Sequence, residues 1–123
     1  SSFRWPSAAA KIERNAIELA KKATLLRRQT DMRETFIPAD LLGEPAWNML
    51  LELFCQFAGG AKMTSKSLCI SAACPETTAL RFVERLEDAG LVHRSRSPND
   101  RRVTLVELSQ AGVIAVGRVL ERL

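Results

Sequence analysis

Residues 64–108 read TSKSLCISAACPETTALRFVERLEDAGLVHRSRSPNDRRVTLVEL. The pattern predicts a short helix, a turn, and a second helix that begins near Cys74 and stops at Gly90. Pro75 suits the first helical position because its missing N–H costs nothing there, and Glu76 suits the positive end of the helix dipole. We therefore predict a helix-turn-helix, and the rest of the chain is interpreted around its second helix.

This second helix is predicted to be amphipathic. A rotation of about 100° per residue gathers its apolar side chains on one side, namely Ala79, Phe82, Val83 and Leu86. The opposite side carries Thr77, Arg81, Glu84, Arg85 and Asp88. This outer side is polar and partly basic, and the side chains of its first turn are small. Such a surface is suited to insertion into a groove of a duplex.

Two β-prone runs follow the helix, at residues 91–96 and 101–108, with Ser97-Pro98-Asn99-Asp100 between them. Turn residues between such runs predict a hairpin. Val103, Leu105 and Leu91 are expected to face the helices. The tip is strongly basic, since residues 93–102 hold one acid, Asp100, against four arginines: Arg94, Arg96, Arg101 and Arg102.

Three motifs in order resemble the DNA-binding half of the MarR (multiple antibiotic resistance regulator) family. They are the run from Val83 to Val92, which contains Leu86-Glu87-Asp88-Ala89-Gly90-Leu91-Val92, then Asp100-Arg101-Arg102, and then Leu108-Ser109-Gln110-Ala111-Gly112. The last has Ser where the family has Thr. The resemblance covers roughly residues 45–115.

The resemblance implies a mostly α protein with a small β wing, a winged helix-turn-helix with long amino-terminal and carboxy-terminal dimerisation helices. It implies that Arg102 enters the minor groove, that Asp100 holds the wing by pairing with an arginine, and that a homodimer binds double-stranded DNA. Arg81 is our candidate for a base-specific contact, because the two donors of a guanidinium match the hydrogen-bond acceptors of guanine. The alternative for Arg81 is an ion pair on its own helix. The full predicted DNA-binding set is Ser65, Lys66, Pro75, Glu76, Thr77, Thr78, Arg81, Arg85, Arg94, Arg96, Asn99, Asp100, Arg101 and Arg102.

A long helix is predicted ahead of this region, from Ser7 to about Arg33. Its heptad seam contains Ala9, Ile12, Ala16, Leu19, Ala23, Leu26 and Thr30. Either the chain's own domain or a second copy could cover the seam. We favour a second copy, because about 26 residues span close to 40 Å. The predicted dimerisation residues are Ile12, Ala16, Leu19, Ala23, Leu26, Val116 and Leu120.

Three segments are predicted: a dimerisation helix with its linker (1–43), the winged helix-turn-helix (44–108) and a carboxy-terminal dimerisation helix (109–123). Family members usually continue further after the last helix, so the amino-terminal helix would supply part of the interface. Phe36, Ile37, Leu41 and Leu42 are expected to pack the linker against the body. The helix after Pro45 is expected to place Trp47 and Phe54 in the core, and Leu123 is expected on the apolar face of the last helix.

Composition fits one soluble domain, with 123 residues, 46% hydrophobic and 26% charged. The charge is uneven: the net charge is +4, yet no Lys or Arg lies between residues 34 and 60. A local excess of positive charge favours binding to a polyanion such as a nucleic acid. A run of eighteen apolar residues and a signal pattern are both lacking, so we expect a cytoplasmic protein and no membrane partner.

Neither catalysis nor a cofactor or metal is predicted. The three cysteines lack metal-ligand spacing, and there is one histidine. Cys55 and Cys69 are expected to be buried, whereas Cys74 precedes a helix start, where a thiolate sensitive to oxidation would be stabilised.

The leading hypothesis is therefore a transcriptional regulator, most simply a repressor, that binds an inverted repeat as a homodimer. A small-molecule effector is left open as a further partner. The alternative is a winged-helix module for protein contact, which recruits a partner through the heptad helix.

Overall fold

The computed structural model describes residues 7–42 and 44–123. Seven helices and three strands are formed there: α1 Ser7–Arg14, α2 Ala16–Phe36, α3 Ala39–Leu42, α4 Pro45–Ala58, β1 Met63–Thr64, α5 Ser65–Ser71, α6 Glu76–Asp88, β2 Val92–Arg96, β3 Thr104–Leu108 and α7 Gln110–Glu121. The mostly α fold with a small β wing is confirmed. The predicted segment boundary at residue 43 lies outside the described residues.

The predicted long amino-terminal helix is interrupted, which corrects the sequence interpretation. Asn15 lies between α1 and α2 with φ −100° and ψ 9°, and its N–H is shared between the carbonyls of Lys11 and Ile12. On either side of this interruption, α1 packs against α7 and α2 packs along α4. Gly117 allows the first of these contacts, because a Cβ there would lie 2.5 Å from Cγ2 of Ile12.

The heptad seam is buried by the chain itself. Ile12, Ala16, Leu19 and Ala23 are buried, together with Val116 and Leu120 of α7, and Leu26 packs half-buried against the same core. Our preference for a second copy as the cover of this seam is therefore wrong, because α4 and α7 of the same chain supply that surface. Dimerisation itself stays a prediction and needs another face.

The core is completed by α4, α5 and α6 under the sheet. Phe54 is fully buried, as predicted, and so is Leu68, while Ala79, Val83 and Leu86 form the buried side of α6. Trp47 is half-buried and packs against this core, as predicted. The predicted packing of the linker is wrong for Phe36, Ile37 and Leu41, which are all exposed, and Leu123 is exposed too.

The three strands form an antiparallel sheet in the order β1-β3-β2. Arg94 lies opposite Val106, and Val92 lies opposite Leu108. Val92, Val106 and Leu108 are the buried strand residues, so the prediction that Val103 and Leu105 face the helices is wrong by one residue of register. Leu91 packs against the core, as predicted. The second wing strand also begins three residues later than predicted, at Thr104 rather than Arg101.

Candidate nucleic-acid interface

The turn of the helix-turn-helix sets where α6 begins. Thr64 caps α5 by accepting a hydrogen bond from the N–H of Ser67 (3.0 Å), and the helix ends at Ser71. Ala73 then adopts a left-handed conformation with φ 53°, which reverses the chain. Pro75 is extended and caps α6, so the predicted first helical position falls to Glu76 instead.

The outer side of α6 is solvent-exposed, as predicted. Its exposed residues include Pro75, Glu76, Thr77, Thr78, Arg81 and Arg85. Within residues 7–42 and 44–123, Arg81 forms no ion pair, so the alternative of a bridge on its own helix is not observed. The guanidinium of Arg85 lies 5.5 Å from the ring centroid of Phe82, which fixes it over the helix surface.

The loop between β2 and β3, residues 97–103, is held by Asp100. Its carboxylate accepts hydrogen bonds from the backbone N–H of Arg102 (3.0 Å) and from Nε and Nη2 of the same residue (both 3.1 Å). The side chain of Arg102 remains 90% exposed. These bonds from Arg102 hold the pKa of Asp100 below its usual range. The predicted pairing of Asp100 with an arginine is thus observed, and the arginine is the one expected at the minor groove.

Two other wing arginines are engaged within the protein, which the sequence did not reveal. Arg94 Nη2 lies 2.7 Å from Glu87 Oε1 at the end of α6, and Nε donates to the same oxygen. This pairing lowers the pKa of Glu87 and raises that of Arg94. Arg96 Nη1 donates to the carbonyl of Arg101 at 2.7 Å. Both belong to the predicted DNA-binding set, and each donates hydrogen bonds within the protein.

The register of the wing explains the pairing of Arg94. Because Arg94 stands opposite Val106, it shares the face that covers the helices, and its side chain reaches back to α6. This ion pair links β2 of the wing to the end of α6. Arg101 and Asn99 stay exposed on the loop, while Lys66 is exposed and Ser65 half-buried at the start of α5.

The cysteines do not form the reactive site that a helix start had suggested. Cys69 is buried, whereas Cys55 and Cys74 are half-buried, so the expectation of a buried Cys55 is wrong. Burial raises the pKa of the Cys74 thiol, contrary to the expected stabilisation of its thiolate. Among the described residues, no group of three or more His, Cys, Asp and Glu could hold a metal ion.

A cavity of about 420 Å³ lies between α2, α4 and the turn before α6. Its lining includes Leu26, Thr30, Trp47, Asn48, Ala73 and Pro75. Sequence reasoning had placed Trp47 in the core because it stands at helical spacing beside leucines. The cavity is formed where α2 lies beside the turn before α6. A local sequence pattern does not predict that arrangement.

One family model matches this chain, the MarR family, over residues 60–104. These residues contain α5, α6 and the wing, where the motifs of the sequence analysis lie. The comparison with curated proteins gave no match. No helix in the described parts of the chain has the length and apolar character needed to cross a bilayer.

Solved structures of transcriptional regulators, including MarR and a MarR family protein, have a similar fold. A cysteine-to-serine mutant of MarR from E. coli, complexed with operator DNA, is 26% identical, with a TM-score of 0.53 over 87% of this chain and 69% of that one. A probable transcriptional regulator from Pseudomonas aeruginosa is 28% identical, with a TM-score of 0.51 over 80% and 76%. A MarR family transcriptional regulator from Silicibacter pomeroyi is 23% identical, with a TM-score of 0.56 over 80% and 64%.

Proposed function

Because residues 60–104 carry the winged helix-turn-helix of the MarR family, we propose that this protein is a transcriptional regulator that binds specific sequences of double-stranded DNA. The observation that carries the proposal is the exposed start of α6, with Arg81 outside any ion pair of the described residues, beside a wing linked to the end of α6 through Arg94 and Glu87. The similar MarR structure in complex with operator DNA supports it.

In the proposed complex, α6 enters the major groove and the wing loop reaches the adjacent minor groove. Thr77, Thr78 and Arg81 lie on the exposed first turns of α6, where side chains can reach base edges. Arg102 is exposed on the wing, with Nε and Nη2 donating to Asp100, and the negative potential of a narrow minor groove would attract its positive charge. Affinity would come mainly from cations against phosphates, and specificity from the α6 contacts.

We further propose that the protein is a homodimer on an inverted repeat, with the outer face of α2 as its contact. Ile17, Leu25, Met32 and Phe36 are all more than half exposed. At about 100° per residue they fall within one arc of the helix, opposite the side buried in the core. A two-fold contact through this face would repeat the α6 surface on the same side of a duplex.

Two finer statements complete the proposal. A DNA-bound dimer most simply acts as a repressor by blocking access, and as a regulator of genes it would work in the cytoplasm. The cavity beside Trp47 and Asn48 has the size and the mixed lining of a small-molecule site, so it is where an effector would bind. A bound effector there would contact the turn that precedes α6.

Selection of bound duplexes from a random DNA pool tests the function most economically. We expect a palindromic consensus, with two half-sites about one helical turn apart, and an affinity that falls steeply with salt. A gel-shift assay at two salt concentrations separates this from a protein-contact module. A module of that kind should show no salt-sensitive DNA affinity.

A further inference from the structure

Arg27 is a buried cation that sequence reasoning did not identify. It lies on α2 and is 8% exposed. Its Nη2 donates to the carbonyl of Ser71 at 3.0 Å, and its Nε lies 3.3 Å from Glu52 Oε1 on α4. Asp31, one turn further along α2, adds a carboxylate oxygen at 3.6 Å. One side chain therefore links α2, α4 and the end of α5.

Burial of the Arg27 guanidinium at this position costs free energy. Burial removes its hydration, and its Nη1 has no hydrogen-bond partner in the described structure. An apolar side chain could occupy the same volume without that penalty. The features that only an arginine supplies are its fork of donors and its reach to the Ser71 carbonyl.

The carbonyl that Arg27 binds belongs to the last residue of α5. Ala72 follows it, then Ala73 in its left-handed conformation, and then the chain enters α6 at Glu76. The hydrogen bond from Arg27 thus fixes the helix-turn-helix turn to α2 at its first residue. Any shift of α2 relative to α4 would be passed to the turn through this bond.

Resting on the proposed DNA-binding function, we infer that Arg27 is a positioning residue that sets the angle of α6 against α2 and thereby the register of the recognition helix on DNA. Because Arg27 is buried, it cannot contact DNA itself. Its loss should therefore reduce the discrimination between sequences, while leaving the phosphate contacts of the wing and the salt dependence almost unchanged.

The test compares Arg27→Gln with Arg14→Gln, which removes the same charge from an exposed position of α1. Each is titrated with a duplex selected from the random pool and with a random duplex of equal length. For Arg27→Gln we expect binding of the selected duplex to weaken by about tenfold, the scale of one base contact, and binding of the random duplex to change by less than about twofold. Arg14→Gln should resemble the wild type with both.

A spectroscopic readout follows the turn directly. The chain has two tryptophans, so Trp5→Phe leaves Trp47 alone. Trp47 lines the same cavity as Ala72 and Ala73, and its quenching by acrylamide should rise in Arg27→Gln without DNA. Thermal denaturation checks folding. If Arg27→Gln is unfolded at the assay temperature, Arg27→Lys takes its place, and it should lose discrimination because a lysine cannot reproduce the fork.

The outcomes separate the inference from the function on which it rests. Equal discrimination and equal Trp47 quenching in the folded Arg27 variant and the wild type would overturn the positioning role alone. Absence of salt-sensitive DNA binding by the wild type would overturn the proposed function and this role with it. Loss of discrimination with unchanged salt dependence and raised quenching is the result that supports the role.

Discussion

The helices α6 and α2 differ in what their outer sides offer. In α6, Ala79, Val83 and Leu86 are buried, and the opposite side is polar. In α2, the side opposite the buried one exposes large apolar side chains, among them Leu25 at 57% and Phe36 at 79%, with Lys21 and Arg28 interspersed. Large apolar side chains therefore face solvent on α2, whereas the exposed side of α6 is polar.

The difference is consistent with the different partners proposed for the two helices. A polar, partly basic surface loses bound water when it is covered. A charged partner that forms hydrogen bonds, such as a duplex, compensates best for that loss. An apolar stripe gains most from another apolar surface, since burial removes it from water. Substitutions on α2, on α6 and on the wing loop test these surfaces separately.

The largest effect is expected on α2. The double substitution Ile17→Glu with Leu25→Glu puts two carboxylates into the proposed dimer contact, and two-fold symmetry doubles them. We expect the dissociation constant of the dimer to rise by at least about 100-fold, because like charges would face each other across the contact. Sedimentation equilibrium measures it. Ile17→Met with Leu25→Met keeps the face apolar and should leave the dimer intact, and a glutamate variant that remains dimeric would remove α2 from the interface.

On α6, Arg81→Ala should relax sequence preference at particular base pairs. The expected cost at those positions is about 1–3 kcal/mol, the usual range for a bidentate contact to guanine. Selection from a random pool, repeated with the variant, measures the change. Arg118→Ala removes an exposed arginine from α7 and serves as the control. An unaltered consensus with Arg81→Ala would mean that α6 does not read bases.

On the wing, Arg102→Ala should weaken binding to every sequence by a similar factor. Because the variant has one cation fewer near the phosphates, the slope of log K against log salt should become shallower by about one. Titrations of selected and random duplexes at several salt concentrations give both slopes. A loss confined to the selected duplex would point to base reading by Arg102 instead of a general electrostatic role.

The smallest effect concerns the pH dependence of the wing loop. Bonds from Arg102 depress the pKa of Asp100 below its ordinary 3.8. The stabilisation of the loop is therefore full above that ordinary pKa and is lost as pH falls through the depressed one. NMR titration of the Asp100 carboxyl should show a higher pKa in Arg102→Ala, but no such rise in Arg101→Ala. An equal pKa in wild type and Arg102→Ala would contradict the pairing.

Local chemistry allowed much of this fold to be predicted. Thr64 and Ser109 each cap the helix that follows, since a hydroxyl beside free N–H groups needs no distant partner. The helix-turn-helix depends likewise on neighbours in sequence and was predicted near its observed position. The pairing of Asp100 with an arginine was implied by the resemblance to the MarR family and not by local chemistry.

Features set by distant partners were predicted poorly. The heptad seam shows that one side of a helix is apolar, but not whether α4 of the same chain or a second copy covers it. The run Val103-Thr104-Leu105-Val106 has apolar residues of both parities, so its pattern could not decide which face lies inward. Arg27 and Glu52 meet across 25 positions of sequence, and no spacing rule joins them.

The most direct measurement is a map of backbone amide shifts when a selected duplex is added to the protein. The largest changes should fall in the first turns of α6, residues 76–81, and in the wing loop, residues 97–103, while the outer face of α2 changes little. Changes concentrated on α2 or α7, with α6 and the wing loop unaffected, would contradict the assignment of the α6 and wing surface to DNA.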